Sequence, residues 1–330
     1  MNVSIIGGGS FGTALAQILS DNGHSILIRD INEEFVDKIN INHLHPFFDI
    51  SIPEAIKATT SLSDILDFSE IIILCVPTKA MRCVIKEIGQ GLNKPKLFVN
   101  VSKGIEPETS YLVSQIIEEV LNPNLVKGFV CLSGPSFAEE IMHRKVTLLV
   151  SASTTDKDAT LIQKLFNNPN YVRVYTSNDM IGVEVCGAVK NAIALISGVC
   201  NGLNLGMNAR AALLTRGNRE IIEIVKAMGG DETTCYGLAG IGDLMLTASS
   251  TLSRNFQAGM RIGNGETVES VIENSKNVVE GIRAVKACEE IRLKYKLELP
   301  ILNLAYKVLY EGFDVKAAVK LLLSRELKSE

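Results

Sequence analysis

The chain has 330 residues, more than one hydrophobic core usually organises, so two domains of about 150 residues each are expected. Hydrophobic residues make up 46% and charged residues 21%, which excludes a disordered or fibrous chain. With 33 Lys+Arg against 37 Asp+Glu the net charge is −4, and there is no Trp, so neither a broad positive field nor a stack of aromatic platforms exists to bind nucleic acid or anionic lipid.

In the first half, short apolar runs alternate with longer amphipathic ones. Strands are predicted at residues 3–6, 25–28, 71–76, 96–101, 128–132, 146–151 and 171–175. Helices are predicted at 13–19, 31–40, 79–88, 109–120 and 157–166, with another opening at Phe137. Strands this apolar, separated by helices, read as βαβ units around a doubly wound, mostly parallel sheet. Beyond Asn178 no strand is expected, and helices are predicted at 181–199, 209–228, 281–294 and 302–310. The expected architecture is an α/β domain over residues 1–177 followed by an all-α helical domain over 178–330.

Residues 181–200 form the most apolar long stretch. They carry Glu184, Lys190 and three glycines, so a buried helix is expected there and no membrane span. The N-terminus has no basic region ahead of an apolar one and does not read as a signal peptide. The seven Cys are odd in number and form no CxxC. Cys75 and Cys131 lie inside apolar strand-like runs, so reduced thiols and a cytoplasmic location are expected. His43 and His45 stand without a companion cluster and read as loop residues, with no metal expected.

Gly7-Gly8-Gly9-Ser10-Phe11-Gly12 gives G-x-G-x-x-G directly after the first strand and at the opening of a helix. In that setting Gly7 permits the tight turn, Gly9 lets the backbone approach a pyrophosphate, and Gly12 lets the helix pack against the strand. The first domain is therefore expected to be a dinucleotide-binding Rossmann domain. Asp30 lies near the end of the second strand, at the spacing of an acid that bonds an adenosine ribose; it could equally cap the following helix. A carboxylate there repels a 2′-phosphate and favours NAD over NADP, although the adjacent Arg29 could point the other way.

A dehydrogenase needs a group to exchange the hydroxyl proton. Between Met180 and Ala209 the only formal charges are Glu184 and Lys190. A lysine on so apolar a helix pays for desolvation, which moves it towards a usable base, unless its head reaches water. Asn191 beside it can orient a substrate hydroxyl. Ser102-Lys103-Gly104 and Ser133-Gly134-Pro135-Ser136 follow strand ends, where ligands bind in doubly wound sheets. Ser253-Arg254-Asn255 adds an arginine suited to phosphate. Lys103, Lys190 and Arg254 are thus expected to serve a small anionic substrate between the domains.

These residues carry a resemblance. The chain resembles the bacterial NAD(P)-dependent glycerol-3-phosphate dehydrogenases over nearly its whole length. The motifs are Gly7–Gly12 with Thr13-Ala14-Leu15, Val76-Pro77, Ser102-Lys103-Gly104, Ser133–Ala138, Gly187–Asn191, Asn208-Ala209-Arg210, Gly240–Asp243, Ser253–Asn255 and Val278–Gly281. The resemblance implies reversible reduction of dihydroxyacetone phosphate to sn-glycerol 3-phosphate, a phospholipid precursor, by a homodimer without metal. It implies Lys190 as the catalytic proton donor and acceptor. Lys103, Gly134, Ser136, Lys190, Asp243, Ser253, Arg254 and Asn255 would bind substrate. Gly7, Gly9, Ser10, Phe11, Gly12, Asp30, Pro77, Lys103, Ala138, Arg254, Val278 and Glu280 would line the cofactor, NAD or NADP.

One departure stands out. Many members carry His or Arg just past the second strand to receive the 2′-phosphate of NADPH. This chain has Ile31 and Asn32 there, preceded by Asp30, so NADH is expected to serve at least as well. Two other readings fit less of the sequence. A β-hydroxyacid dehydrogenase of the same architecture would share the Lys-Asn pair but not the Ser253-Arg254-Asn255 trio. A non-catalytic dinucleotide sensor would have no use for Lys103, Lys190, Asp243 and Arg254 together.

Overall fold

The computed structural model describes every residue except 108, 276–278 and 328–330. The chain divides into two compact units: Met1–Lys103 with Tyr111–Glu184, and Gly104–Ser110 with Val185–Glu330. The division thus lies beyond the expected boundary at Ser177 and falls inside a helix. Strands do stop at Ser177, but the next helix sends Glu184 back into the first unit, where its carboxylate bonds Ser114 and Asn100.

The first unit runs β1 (Asn2–Ile6), α1 (Ser10–Asp21), β2 (Ser25–Arg29), α2 (Glu33–Asn40), β3 (Ile56–Thr59), α3 (Leu62–Phe68), β4 (Ile71–Leu74) and α4 (Thr78–Gly91). It continues with β5 (Lys96–Asn100), α5 (Val113–Val120), β6 (Val126–Ser133), α6 (Ala138–Met142), β7 (Thr147–Ala152), α7 (Asp156–Phe166) and β8 (Val172–Ser177). The eight strands form one sheet in the order β3-β2-β1-β4-β5-β6-β7-β8. Every neighbouring pair is parallel except β6–β7.

Alternation along the strands builds two cores. Ile71, Ile73, Leu97 and Val99 pack with α1 and α7, through Leu15, Ile18, Ile162 and Phe166. Their neighbours Ile72, Leu74 and Phe98 pack with α3, α4 and α5, through Ile65, Met81, Ile85 and Ile116. Strands covered on both faces read as unbroken apolar runs, which is how the central ones were legible.

The differences from expectation have local causes. The edge strand β3 and helix α3 are short and carry polar residues, so neither shows a periodic signal. Residues 31–40 yield a helix only from Glu33, because Asn32 caps it by accepting the Glu34 N–H. The helix expected from 109 begins at Val113: Ser110 sits at φ 59°, a left-handed conformation that no helix continues through.

In the second unit the helices are α8 (Met180–Gly202), whose first residues belong to the first unit, α9 (Gly206–Ala227), α10 (Asp243–Ser249), α11 (Arg254–Gly263), α12 (Val268–Glu273), α13 (Glu280–Tyr295), α14 (Pro300–Tyr310) and α15 (Val315–Leu323). No strand follows Ser177 among the described residues. Helix α8 is long and apolar enough to cross a membrane, but 83% of its apolar window is buried inside the protein, as befits a core helix. It packs backbone to backbone against α11. A Cβ at Gly198 would lie 2.1 Å from the Phe256 carbonyl oxygen, and one at Gly259 would lie 1.9 Å from that of Leu195. Only glycine at these crossings lets the helices approach so closely, and the seam holds Asn191 and Asn255 at bonding distance.

Candidate active site

In the first unit the candidate residues gather at the carboxyl ends of β1, β2, β4, β5 and β6. Gly7 turns the chain at φ 112°, and a Cβ there would sit 2.4 Å from the Cys75 carbonyl oxygen. A Cβ at Gly12 would lie 2.0 Å from the Gly7 carbonyl oxygen. Both positions therefore demand glycine. At Gly9 the opposite holds, for nothing lies within 4 Å of where its Cβ would be. Gly9 precedes α1 and offers no capping side chain, so the first-turn N–H groups and the positive end of the helix face an open cradle. An anionic pyrophosphate fits this arrangement.

Asp30 does not cap α2. Its Oδ2 accepts the Gly8 N–H at 2.7 Å and its Oδ1 accepts the Asn32 N–H at 3.0 Å, which ties the end of β2 to the glycine turn. Arg29 points elsewhere: its guanidinium donates to both Glu87 carboxylate oxygens, at 2.7 and 3.2 Å, and to the Thr60 carbonyl. Pro77 precedes α4 and is exposed. Phe11 and Ala138 pack partly buried against the first core.

Beside the turn, Asn100 clasps the main chain of Ser102 in both directions, accepting its N–H at 2.9 Å and donating to its carbonyl at 3.1 Å. The Ser102 hydroxyl donates to the Val76 carbonyl at 2.6 Å, joining the β5 loop to the β4 loop. Lys103 follows, and its Nζ donates to the Gly134 carbonyl at 3.0 Å, the same oxygen that receives the Ser136 hydroxyl. Gly134 itself sits at φ 139° against the Leu148 carbonyl. The clasp is backed by Glu184, buried at 6% exposure, which accepts from the Ser114 hydroxyl at 2.5 Å, from the Ser114 N–H, and at 3.4 Å from Asn100. Burial pushes its carboxyl up to about 7, against the pull of the Ser114 and Asn100 bonds.

The second unit holds the other group of residues. Lys190 is 4% exposed on α8, and its Nζ donates to Asp243 Oδ1 and to Thr247 Oγ1, both at 2.6 Å. Asp243 is 1% exposed and opens α10; Thr247 lies one turn on and donates to the Asp243 carbonyl at 2.7 Å. The turn of π-helix before Asp243 depends on Gly240, whose Cβ would lie 2.4 Å from the Cys235 carbonyl oxygen. The Lys190 head is thus bonded to two buried side chains. Thr247 escaped the sequence reading, although its place four residues after Asp243 puts both on one helix face.

Asn255 donates to the Asn191 side-chain oxygen and accepts the Gly281 N–H, each at 2.9 Å, so its amide orients its neighbours. Ser253 caps α11 by accepting the Phe256 N–H. Arg254, first residue of that helix, is exposed and has no partner among the described residues. Glu280 opens α13 beside Gly281, while Val278 lies outside the described residues. Each unit therefore assembles its own share of the expected residues. Among the described residues, no group of three His, Cys, Asp or Glu could hold a metal ion.

A glycine turn shaped for a dinucleotide, followed in the chain by a helical unit with a buried Lys–Asp–Thr triad, defines a nicotinamide-dependent oxidoreductase. The comparisons with known proteins make the class specific. Residues 2–159 match the family of the NAD-dependent glycerol-3-phosphate dehydrogenase N-terminus, and residues 179–320 match that of its C-terminus. The chain is 50% identical to glycerol-3-phosphate dehydrogenase [NAD(P)+] of Acholeplasma laidlawii, covering 100% of this chain and 99% of that one. It is 43% identical to the Listeria innocua enzyme of the same name, covering 99% and 97%. The crystal structure of glycerol-3-phosphate dehydrogenase from Coxiella burnetii superposes with a TM-score of 0.92 at 31% identity, covering 98% of this chain and 99% of that one. The chain belongs to the NAD-dependent glycerol-3-phosphate dehydrogenase family. A ketopantoate reductase from Ralstonia eutropha shares the fold alone, with a TM-score of 0.60 at 15% identity.

Proposed function

We propose that the chain catalyses reversible hydride transfer between NAD(P) and C2 of dihydroxyacetone phosphate and sn-glycerol 3-phosphate, with the dinucleotide held by the α/β unit and the proton handled by the helical unit. The observation that carries this reading is the buried triad of Lys190, Asp243 and Thr247 in a chain of this family. Bound NADH supplies the hydride that C2 accepts. Lys190 Nζ gives its proton to the C2 oxygen as negative charge gathers there, and takes it back when the alcohol is oxidised. Asp243 holds the ammonium and Thr247 fixes its direction, so Nζ meets the reacting oxygen without reorganising. Asn191, turned by Asn255, orients the hydroxyl.

Arg254 takes the substrate phosphate, helped by the positive end of α11 that Ser253 caps. Lys103 serves substrate and cofactor from its anchor on the Gly134 carbonyl, with Ser136 beside it. The glycine turn, Pro77, Ala138 and Glu280 line the cofactor. NADH serves at least as well as NADPH, because Asp30 holds a carboxylate at the glycine turn while Arg29 is drawn off onto Glu87. The enzyme works in the cytoplasm as a homodimer and supplies glycerol 3-phosphate for phospholipids.

An assay of dihydroxyacetone phosphate reduction, followed at the nicotinamide absorbance with each cofactor, tests the reading. Turnover is expected with both, and kcat/KM for NADH should equal or exceed that for NADPH. A strong NADPH advantage would overturn the Asp30 argument. Folded protein that binds NADH without turnover would be a dinucleotide sensor instead. Light scattering should report twice the monomer mass.

A further inference from the structure

Between α2 and β3 the chain makes an excursion with its own closure. Leu44 and Ser51 form an isolated antiparallel bridge, the His45 N–H donates to the Ile50 carbonyl at 2.9 Å, and the Ile52 N–H donates to the His43 carbonyl at 2.8 Å. Inside this loop lies His45, with no exposed surface, stacked on Phe48 at 4.3 Å between ring centroids. Its Nδ1 accepts two main-chain N–H groups, from Phe47 at 3.0 Å and Phe48 at 3.1 Å. That nitrogen therefore carries no proton, and the proton is on Nε2, which donates to the Ser10 carbonyl at 3.0 Å. Burial holds the ring down to about 4, so it is neutral at physiological pH.

The partner atom gives this bond its meaning. Ser10 is the first residue of α1, and its carbonyl shares one planar peptide unit with the Phe11 N–H, the two pointing in opposite directions. A bond that fixes and polarises the carbonyl fixes and polarises the N–H as well. The Phe11 N–H lies in the first turn of the helix, among those left facing the open cradle at Gly9. Phe48 and Ile50 pack against the same core as Phe11, so the loop and the first turn of α1 rest on common support.

We propose that His45 is a positioning residue for the dinucleotide pyrophosphate, acting through the Ser10–Phe11 peptide, and that the 43–52 loop is the frame that holds it. This rests on the reading that the glycine turn binds NAD(P). A merely structural histidine would affect stability alone. A positioning histidine affects affinity for the pyrophosphate and leaves the chemical step intact.

His45→Asn retains an acceptor for the Phe47 and Phe48 N–H groups but falls short of Ser10. His45→Gln restores a donor long enough to reach the Ser10 carbonyl. NADH affinity is measured by enhancement of nicotinamide fluorescence and ADP affinity by competition, together with kcat at saturating cofactor and the melting temperature. In His45→Asn the Kd for NADH and the Kd for ADP should rise in parallel, by about three- to tenfold, as expected for one lost hydrogen bond. Its kcat should stay within about twofold, and His45→Gln should recover most of the loss. Unchanged Kd values in a less stable His45→Asn, or a His45→Gln that folds yet binds as weakly as His45→Asn, would overturn the proposal. Wild-type protein that fails to bind NADH would overturn the cofactor reading instead.

Discussion

The Lys190–Asp243 pair lets stability and catalysis be separated. Both side chains are almost wholly buried and only 2.6 Å apart, so removing either takes from a buried charge the opposite charge it is bonded to. Breaking such a pair costs about 3–5 kcal/mol, a large part of the roughly 5–15 kcal/mol that holds a domain folded. Lys190→Met keeps the length of the stem and removes the charge; Asp243→Leu keeps the forked shape and does the same. Each single variant should be destabilised by about that amount in urea. The double variant should be more stable than either single one, because both members of the buried ion pair are removed together and apolar groups fill the space.

Activity should follow a different pattern. Loss of the proton donor should lower kcat by about 10²–10⁴-fold, equivalent to roughly 3–5 kcal/mol of barrier. It should stay lost in the double variant, where stability has recovered. Steady-state reduction of dihydroxyacetone phosphate beside urea unfolding curves provides the assay. If Lys190→Met kept activity within a few-fold of wild type, Lys190 would be a structural lysine and the assignment would fall. If the double variant were as unstable as the sum of the singles, the two charges would not be a coupled pair.

Other predictions follow from single positions. Arg254→Ala should raise KM for dihydroxyacetone phosphate while changing stability by less than about 0.5 kcal/mol, since the side chain is exposed and unpartnered among the described residues; an unchanged KM would refute its phosphate role. Gly12→Ala should abolish NADH binding, because its Cβ would meet the Gly7 carbonyl oxygen at 2.0 Å, and retained affinity in a fluorescence titration would show that the turn can yield. The Glu184 carboxyl is held at about 7 in the folded protein against an ordinary 4.5, so its contribution favours folding below pH 4.5 and is lost as pH rises through 7. Over that window it amounts to about 3 kcal/mol. Glu184→Gln should therefore flatten the loss of stability between pH 4.5 and 7 relative to wild type, and parallel pH profiles would refute the assignment.

Periodicity and local chemistry alone were enough to show where this chain changes from α/β to all-α, where its glycine turn lies, and which lysine stands alone on an apolar helix. These are local facts: unbroken apolar runs in β4 and β5, glycines after β1, and one formal positive charge in a long apolar run. Short elements such as β3 and α3 escaped because four to seven residues carry too few repeats to show a period. What the sequence could not supply was partnership across distance. Asp30 reads as a cap or a ribose acid until it is seen to hold Gly8, and Arg29 reads as a cation beside it until Glu87 claims it. Asp243 and Thr247 become partners of Lys190 only when α8 and α10 are packed together. His45 reads as a loop residue until its ring is found inside the protein, bonded to Ser10 from 35 positions away. Local sequence determines which backbone each segment adopts, whereas a buried charge or ring takes its meaning from the group that satisfies it, and only folding brings that group within reach.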